Sequence, residues 1–257
     1  LISQSLSAHP NITIPSETDF IIPAAFIFDR VKDLQTRRLM LGTLITSSEY
    51  FPHSLGEYLQ TSEVLEIVAR NVGDFSALLD ALYSAIAERS GAKIAGDKSP
   101  NDIHFVRILG KINAIGASTK IIHIVRDIRD VVAALVKRNM SQGIETQYAR
   151  MWSAHNLYLH TWFSGAANYH LVRYEDFVAD QEREIRRMLA FLSQPFDPAT
   201  LDITKRHPRL AQSPIHDMLY QPTTSAKVGS FKDILTPDLI ALCERQAHEG
   251  MATFGYR

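Results

Sequence analysis

Apolar and polar residues follow two different rhythms along the chain. Between Arg30 and Arg89 the apolar positions recur at helical spacing, as in EVLEIVARNV and FSALLDALYSAIAERS, with PHSLGEY as a break. Three short β-rich runs come next: AKIAG ahead of DKSP, KIIHIV ahead of RDIRD, and YHLVRY ahead of EDF. A helix-like segment follows each, NDIHFVRILGKINAI, DVVAALVKRNM and QEREIRRMLAFLSQ in turn. Short strands alternating with helices predict an α/β fold, a mostly parallel sheet flanked by helices on both faces. At the start, LISQSLSA reads as the end of a helix stopped by His9-Pro10, because the residue before a proline is pushed out of the helical region. No internal repeat, low-complexity tract or long linker interrupts this alternation.

Length and composition narrow the picture. A chain of 257 residues suits one α/β domain with additional helices, and it is ample to bury a core. Its 46% hydrophobic and 21% charged residues argue against disorder. A formal net charge of -1 argues against a nucleic-acid coat or a polybasic membrane anchor, so an anionic ligand must be held by a local cluster. The apolar stretch IIPAAFIF is short and carries Pro23, so no transmembrane helix is expected. The lone cysteine, Cys243, excludes an intrachain disulfide and reads as a small apolar residue of a C-terminal helix. The histidines offer no zinc pattern; His155 and His160 lack matching ligands, and no nucleophilic Ser or Cys elbow is found.

Ligands of open parallel sheets bind beyond the carboxyl ends of the strands, where the following helices point their N–H groups. Lys98, Arg126, Arg173 and Tyr174 all fall at or just past such ends. The residues therefore point to a phosphate- or sulfate-bearing ligand. The competing reading makes Arg126, Asp127, Arg129 and Asp130 a solvated ion-pair cluster and helix cap.

KIIHIVRDIRDVVAALVKR resembles the 3′-phosphate-binding segment of sulfotransferases that use 3′-phosphoadenosine 5′-phosphosulfate (PAPS). AHPNITIPSET, GDKSP, LVRYEDFVADQEREIRRMLAFL and KVGSFKDILTPDLIALCERQ followed by FGYR resemble further segments of that family, in its order and over nearly the whole chain. The resemblance implies a P-loop NTPase-like three-layer sandwich forming a single domain over residues 1–257. It also implies sulfuryl transfer from PAPS, without a metal, to a hydroxyl of a sugar, lipid, small metabolite or peptide tyrosine. Such chemistry needs in-line positioning, charge stabilisation on the leaving phosphate and a base for the acceptor hydroxyl.

Glu17 matches the family's general base, although on its own it reads as a helix first-turn residue with Ser16 or Thr18 capping. Lys98 is implied to stabilise the leaving group, against a plain surface lysine before a helix that Pro100 starts. Arg126 is implied to grip the 3′-phosphate in a fork of charge-assisted hydrogen bonds. The family's usual serine on the next helix is Ala134 here, and Ile128 replaces its proline. A lost hydroxyl bond to a charged phosphate costs about 1.5–3 kcal/mol unless Arg129, Lys137 or Arg138 compensates. Tyr174 is placed near the donor edge, while Glu175 and Asp176 also suit a helix start. Gly229 would allow close backbone approach to the donor, with charge from Lys227 or Lys232. Trp152 is either core or adenine packing, with core favoured.

A small-molecule kinase of the same architecture and a non-catalytic relative are the alternatives. The helical segment from Arg30 to Arg89 and QSPIHDMLYQPTTS are the expected walls and lid of the acceptor pocket. A cytoplasmic location and no nucleic-acid partner are expected. In the proteins it resembles HPN ends a helix that begins at the phosphate loop, so the first strand and that loop are expected to be missing ahead of Leu1, with catalysis lost or badly impaired in this chain even where its full-length parent is an enzyme.

Overall fold

The computed structural model describes residues 1–112, 114–116, 118–140, 143–205 and 223–257. Most of QSPIHDMLYQPTTS lies outside the described residues. The chain forms two compact units, Leu1–Thr119 with Gln194–Gln221, and Lys120–Ser193 with Pro222–Arg257.

The first unit opens with α1 (Ile2–Ser7), which buries Ile2 and Leu6 and stops ahead of His9 and Pro10. The buried His9 ring accepts the Asn11 N–H at Nδ1 (3.0 Å), so its proton sits on Nε2 and is donated to the Pro195 carbonyl at 2.9 Å. That ring pins the turn that leads into β1 (Ile12–Thr13). Helices α2 (Ile21–Arg30), α3 (Leu34–Thr46), α4 (Thr61–Asn71) and α5 (Phe75–Ser90) then carry the chain to β2 (Ile94–Ala95), which lies parallel to β1. Local signals set the boundaries. The Asp33 and Asp74 carboxylates cap α3 and α5, a Gln60/Glu63 capping box opens α4, and α5 ends at Gly91, whose φ of 70° suits a residue without Cβ. Leu41, Ile45, Val64, Val68, Leu78, Leu82 and Ile86 fill the core between these helices. Buried Arg37 satisfies the carbonyls of Val31 and Val72 and lies 4.2 Å from the Phe28 ring centroid. After β2, NDIHFVRILGKINAI is less regular than its spacing predicts: a 3-10 turn over Pro100–Phe105, then the short α6 (Arg107–Lys111).

The second unit pairs β3 (Ile121–Val125) and β4 (Tyr169–Arg173) in parallel, from Ile121 opposite Tyr169 to Val125 opposite Arg173. Parallel pairing requires a long return connection, which α7 (Ile128–Lys137) and α8 (Glu145–Phe163) provide. Helices α9 (Tyr174–Ala179) and α10 (Gln181–Phe191) follow β4, and α11 (Phe231–Ile234), α12 (Pro237–Gln246) and α13 (His248–Thr253) complete the unit. Val125, Ile128, Val132, Trp152, Phe231, Cys243, Met251 and Phe254 form one core. The Trp152 ring meets Phe254 and Tyr256 edge-on, which makes it a core aromatic, and burial pushes the Cys243 thiol up to about 11. Among the described residues no helix is long and apolar enough to cross a membrane.

Candidate active site

In the first unit the site begins with the register of the short parallel pair. Ile12 lies opposite Ile94 and Thr13 opposite Ala95, so the segments leaving β1 and β2 emerge at the same edge. One carries Glu17 and the other Lys98, and the two side chains form an ion pair, each roughly 40% exposed. β1 itself is hidden in AHPNITIPSET, whose apolar run is too short to signal a strand. Glu17 does not sit in a helical first turn. It lies in irregular chain ahead of α2, which has no side-chain cap, and Thr18 is buried and bonded elsewhere.

That partner is Asp97. Its Oδ1 accepts the Thr18 hydroxyl at 2.6 Å and the Tyr83 hydroxyl at 2.7 Å, and its Oδ2 accepts the Ser99 hydroxyl at 2.8 Å. Ser99 Oγ in turn receives the backbone N–H of Asp19 at 3.3 Å, a residue held at a φ of 49°. The carboxyl of Asp97 is raised above its usual range by desolvation, against its three hydroxyl donors and the charge of Lys98. Asp19 is raised by burial and by the charges of Glu17 and Asp97. Burial, with Asp97 and Asp19 nearby, lifts Asp102 to about 7. The phenol of Tyr83 is held well above its ordinary range by burial beside Asp97. The site is thus rich in acid around a single ammonium. Asp97 is visible in GDKSP, yet its role depends on Tyr83 and Thr18, which no spacing rule connects to it.

In the second unit β3 and β4 end in register, so Arg126 and Tyr174 leave the same edge side by side. The Arg126 guanidinium lies 4.8 Å from the Tyr174 ring centroid and donates from Nη2 to the Lys227 carbonyl at 3.3 Å. Its Nε is buried with no hydrogen-bond partner among the described residues. A guanidinium with unused donor capacity suits an anionic ligand.

The neighbouring charges behave differently. Asp127 caps α7 by accepting the Arg129 N–H at 2.9 Å, and its own N–H goes to Glu175 Oε1 at 2.9 Å. The Arg129 guanidinium is buried and fully engaged, with Asp127 (2.7 Å), Glu244 (2.7 Å), the Arg257 carbonyl (2.8 Å) and the face of Phe231. Buried Asp130 accepts the backbone N–H groups of Gly229 (2.8 Å) and Phe231 (3.0 Å). The RDIRD cluster is therefore a helix cap, as one reading of the sequence had it, but a buried one and not solvated. Arg129 cannot compensate for Ala134, and Lys137 and Arg138 are exposed at the far end of α7. Glu175 is a scaffold residue, held by Asp127 and the Tyr256 hydroxyl (2.8 Å). Gly229 has a left-handed backbone, φ 74°, and commits its N–H to Asp130, while the Lys227 and Lys232 side chains are exposed. No His, Cys, Asp and Glu group suited to a metal occurs among the described residues.

Short parallel strands followed by helical segments define an α/β protein, with Lys98 and Arg126 just past two of the strand ends. The sequence profile described as the sulfotransferase family matches residues 1–198, and the chain belongs to that family. Sulfuryl transfer is the activity that membership supports. The fold is similar to the sulfotransferase domain from the Synechococcus PCC 7002 olefin synthase, with a TM-score of 0.69 and 21% identity over 100% of this chain and 90% of that one. It is also similar to the sulfotransferase domain from the curacin biosynthetic pathway, with a TM-score of 0.64 and 18% identity over 100% of this chain and 93% of that one. No curated protein sequence matches the chain.

Proposed function

We propose that this chain transfers a sulfuryl group from PAPS to an acceptor hydroxyl, with Glu17 as the general base. The observation that carries the reading is the ion pair between Glu17 and Lys98 on adjacent strand ends. A carboxylate there can receive the acceptor's proton, and an ammonium beside it can neutralise charge growing on a departing phosphate. The donor supplies an activated sulfur. As the acceptor oxygen bonds to that sulfur, the bond from sulfur to the 5′-phosphate oxygen breaks. The hydroxyl proton passes to Glu17, and the products are a sulfate ester and 3′,5′-ADP. Lys98 holds the leaving phosphate. Arg126 takes the 3′-phosphate with Tyr174 supporting its guanidinium plane, and the Lys227–Phe231 segment, including Gly229 and Lys232, borders the nucleotide.

Thermal shift with 3′,5′-ADP against ATP and magnesium tests the donor class. The proposal expects stabilisation by 3′,5′-ADP without metal. Stabilisation by ATP and magnesium alone would make the chain a kinase-like protein.

A further inference from the structure

We infer that Asp97 is the residue that positions the Glu17 and Lys98 pair, an inference that rests on the roles proposed for those two. Glu17 and Lys98 lie in irregular chain, where no helix or strand ladder fixes a side chain. Their ion pair is also half-exposed, and such pairs alone hold geometry weakly. Beyond the β1–β2 pairing, what joins the two segments is the set of hydrogen bonds made by their immediate neighbours.

Thr18, next to Glu17, donates to Asp97 Oδ1, and Ser99, next to Lys98, donates to Asp97 Oδ2. The Asp19 N–H closes a second link through Ser99 Oγ. Tyr83 donates from α5 to the same Oδ1 and so ties the arrangement to a helix whose Leu82 and Ile86 are buried in the core. A carboxylate is the one side chain of this size that accepts all three hydroxyls at once. Asparagine offers a single acceptor oxygen, so it must drop or reverse at least one of these bonds. Asp97 touches no reacting atom in this scheme; it acts through Glu17 and Lys98.

The test is a double-mutant cycle read by calorimetric titration of 3′,5′-ADP, whose 5′-phosphate is the group assigned to Lys98. The expected result is about tenfold weaker binding for Asp97→Asn in the native background and less than a twofold effect in the Lys98→Ala background. Thr18→Val should follow the same pattern, and Thr18→Ser, which keeps the hydroxyl, should recover most of the loss. The Thr18 pair carries the test if Asp97→Asn fails to fold. Equal losses in both backgrounds, or none in either, would overturn the positioning role. Native protein that does not bind 3′,5′-ADP, or Lys98→Ala that binds it as tightly, would instead sink the donor reading itself.

Discussion

The Glu17 region of the first unit and the Arg126 region of the second handle charge in opposite ways. In the Glu17 region the carboxyls of Asp19, Asp97 and Asp102 are all pushed up, and the Glu17–Lys98 ion pair stays half-exposed. Around Arg126, the carboxylates are spent on scaffold. Asp127 and Glu244 neutralise Arg129, Asp130 clamps backbone, and Glu175 joins Asp127 to Tyr256, which leaves Arg126 without a carboxylate partner among the described residues. The first arrangement suits a group that must gain and lose a proton. The second suits a fixed positive charge that a phosphate can neutralise. Two arginines of one short motif therefore sit in different surroundings, Arg129 buried among carboxylates and Arg126 beside the Tyr174 ring.

Removing the buried arginine should have the largest effect. Arg129→Ala leaves Asp127 buried without its cation, and about 3–5 kcal/mol of stability should be lost in chemical denaturation. Near-native stability would mean that the pair is not a structural anchor. Arg126→Ala should behave in the reverse manner. Its 3.3 Å bond to the Lys227 carbonyl and its ring contact contribute little to folding, so the melting temperature should hardly move. Binding of 3′,5′-ADP should weaken by about 1.5–3 kcal/mol, read by calorimetry. Loss of stability without loss of binding would erase the distinction between the two arginines.

A smaller effect is opposite pH dependence. In the second unit His123 donates from Nε2 to Asn156 Oδ1 at 2.7 Å, because that amide's nitrogen is engaged with the Trp152 carbonyl. Its Nδ1 lies 2.7 Å from the Tyr169 hydroxyl, which is shared with His160 Nδ1 at 3.0 Å. Burial lowers His123 to about 4, below the unfolded value near 6.5, so the unfolded chain binds more protons between those values. Stability from His123 is present above about pH 6.5 and is lost as the pH falls towards 4. Asp102 has the reverse sign. Raised to about 7, it keeps its proton longer in the folded state, so its contribution declines as the pH rises from about 4 to 7. Denaturation midpoints across this range should show Asp102→Asn flattening the upper part of the profile and His123→Gln the lower part. Identical profiles for both variants would contradict the comparison.

The strands ahead of Lys98, Arg126 and Tyr174 were legible because β-rich runs ahead of helical spacing leave a clear mark. β1 was not, since a strand of two residues carries almost no periodicity. Charge and motif singled out Glu17, Lys98 and Arg126 as candidates, and the structure pairs the first two and leaves the third beside Tyr174. The division of labour between Arg126 and Arg129 escaped the sequence because it depends on Glu244 and the Arg257 carbonyl, far along the chain. Asp97 escaped for the same reason, its partner Tyr83 lying on α5.

The most direct test of the account is transfer of label from ³⁵S-PAPS to a panel of sugar, lipid, small-metabolite and tyrosyl-peptide hydroxyls, comparing native protein with Glu17→Gln. The account predicts labelled product from the native chain in at least one acceptor class and a fall of roughly 10²–10⁴ in turnover for Glu17→Gln, with 3′,5′-ADP affinity unchanged. Undiminished turnover in Glu17→Gln would contradict it.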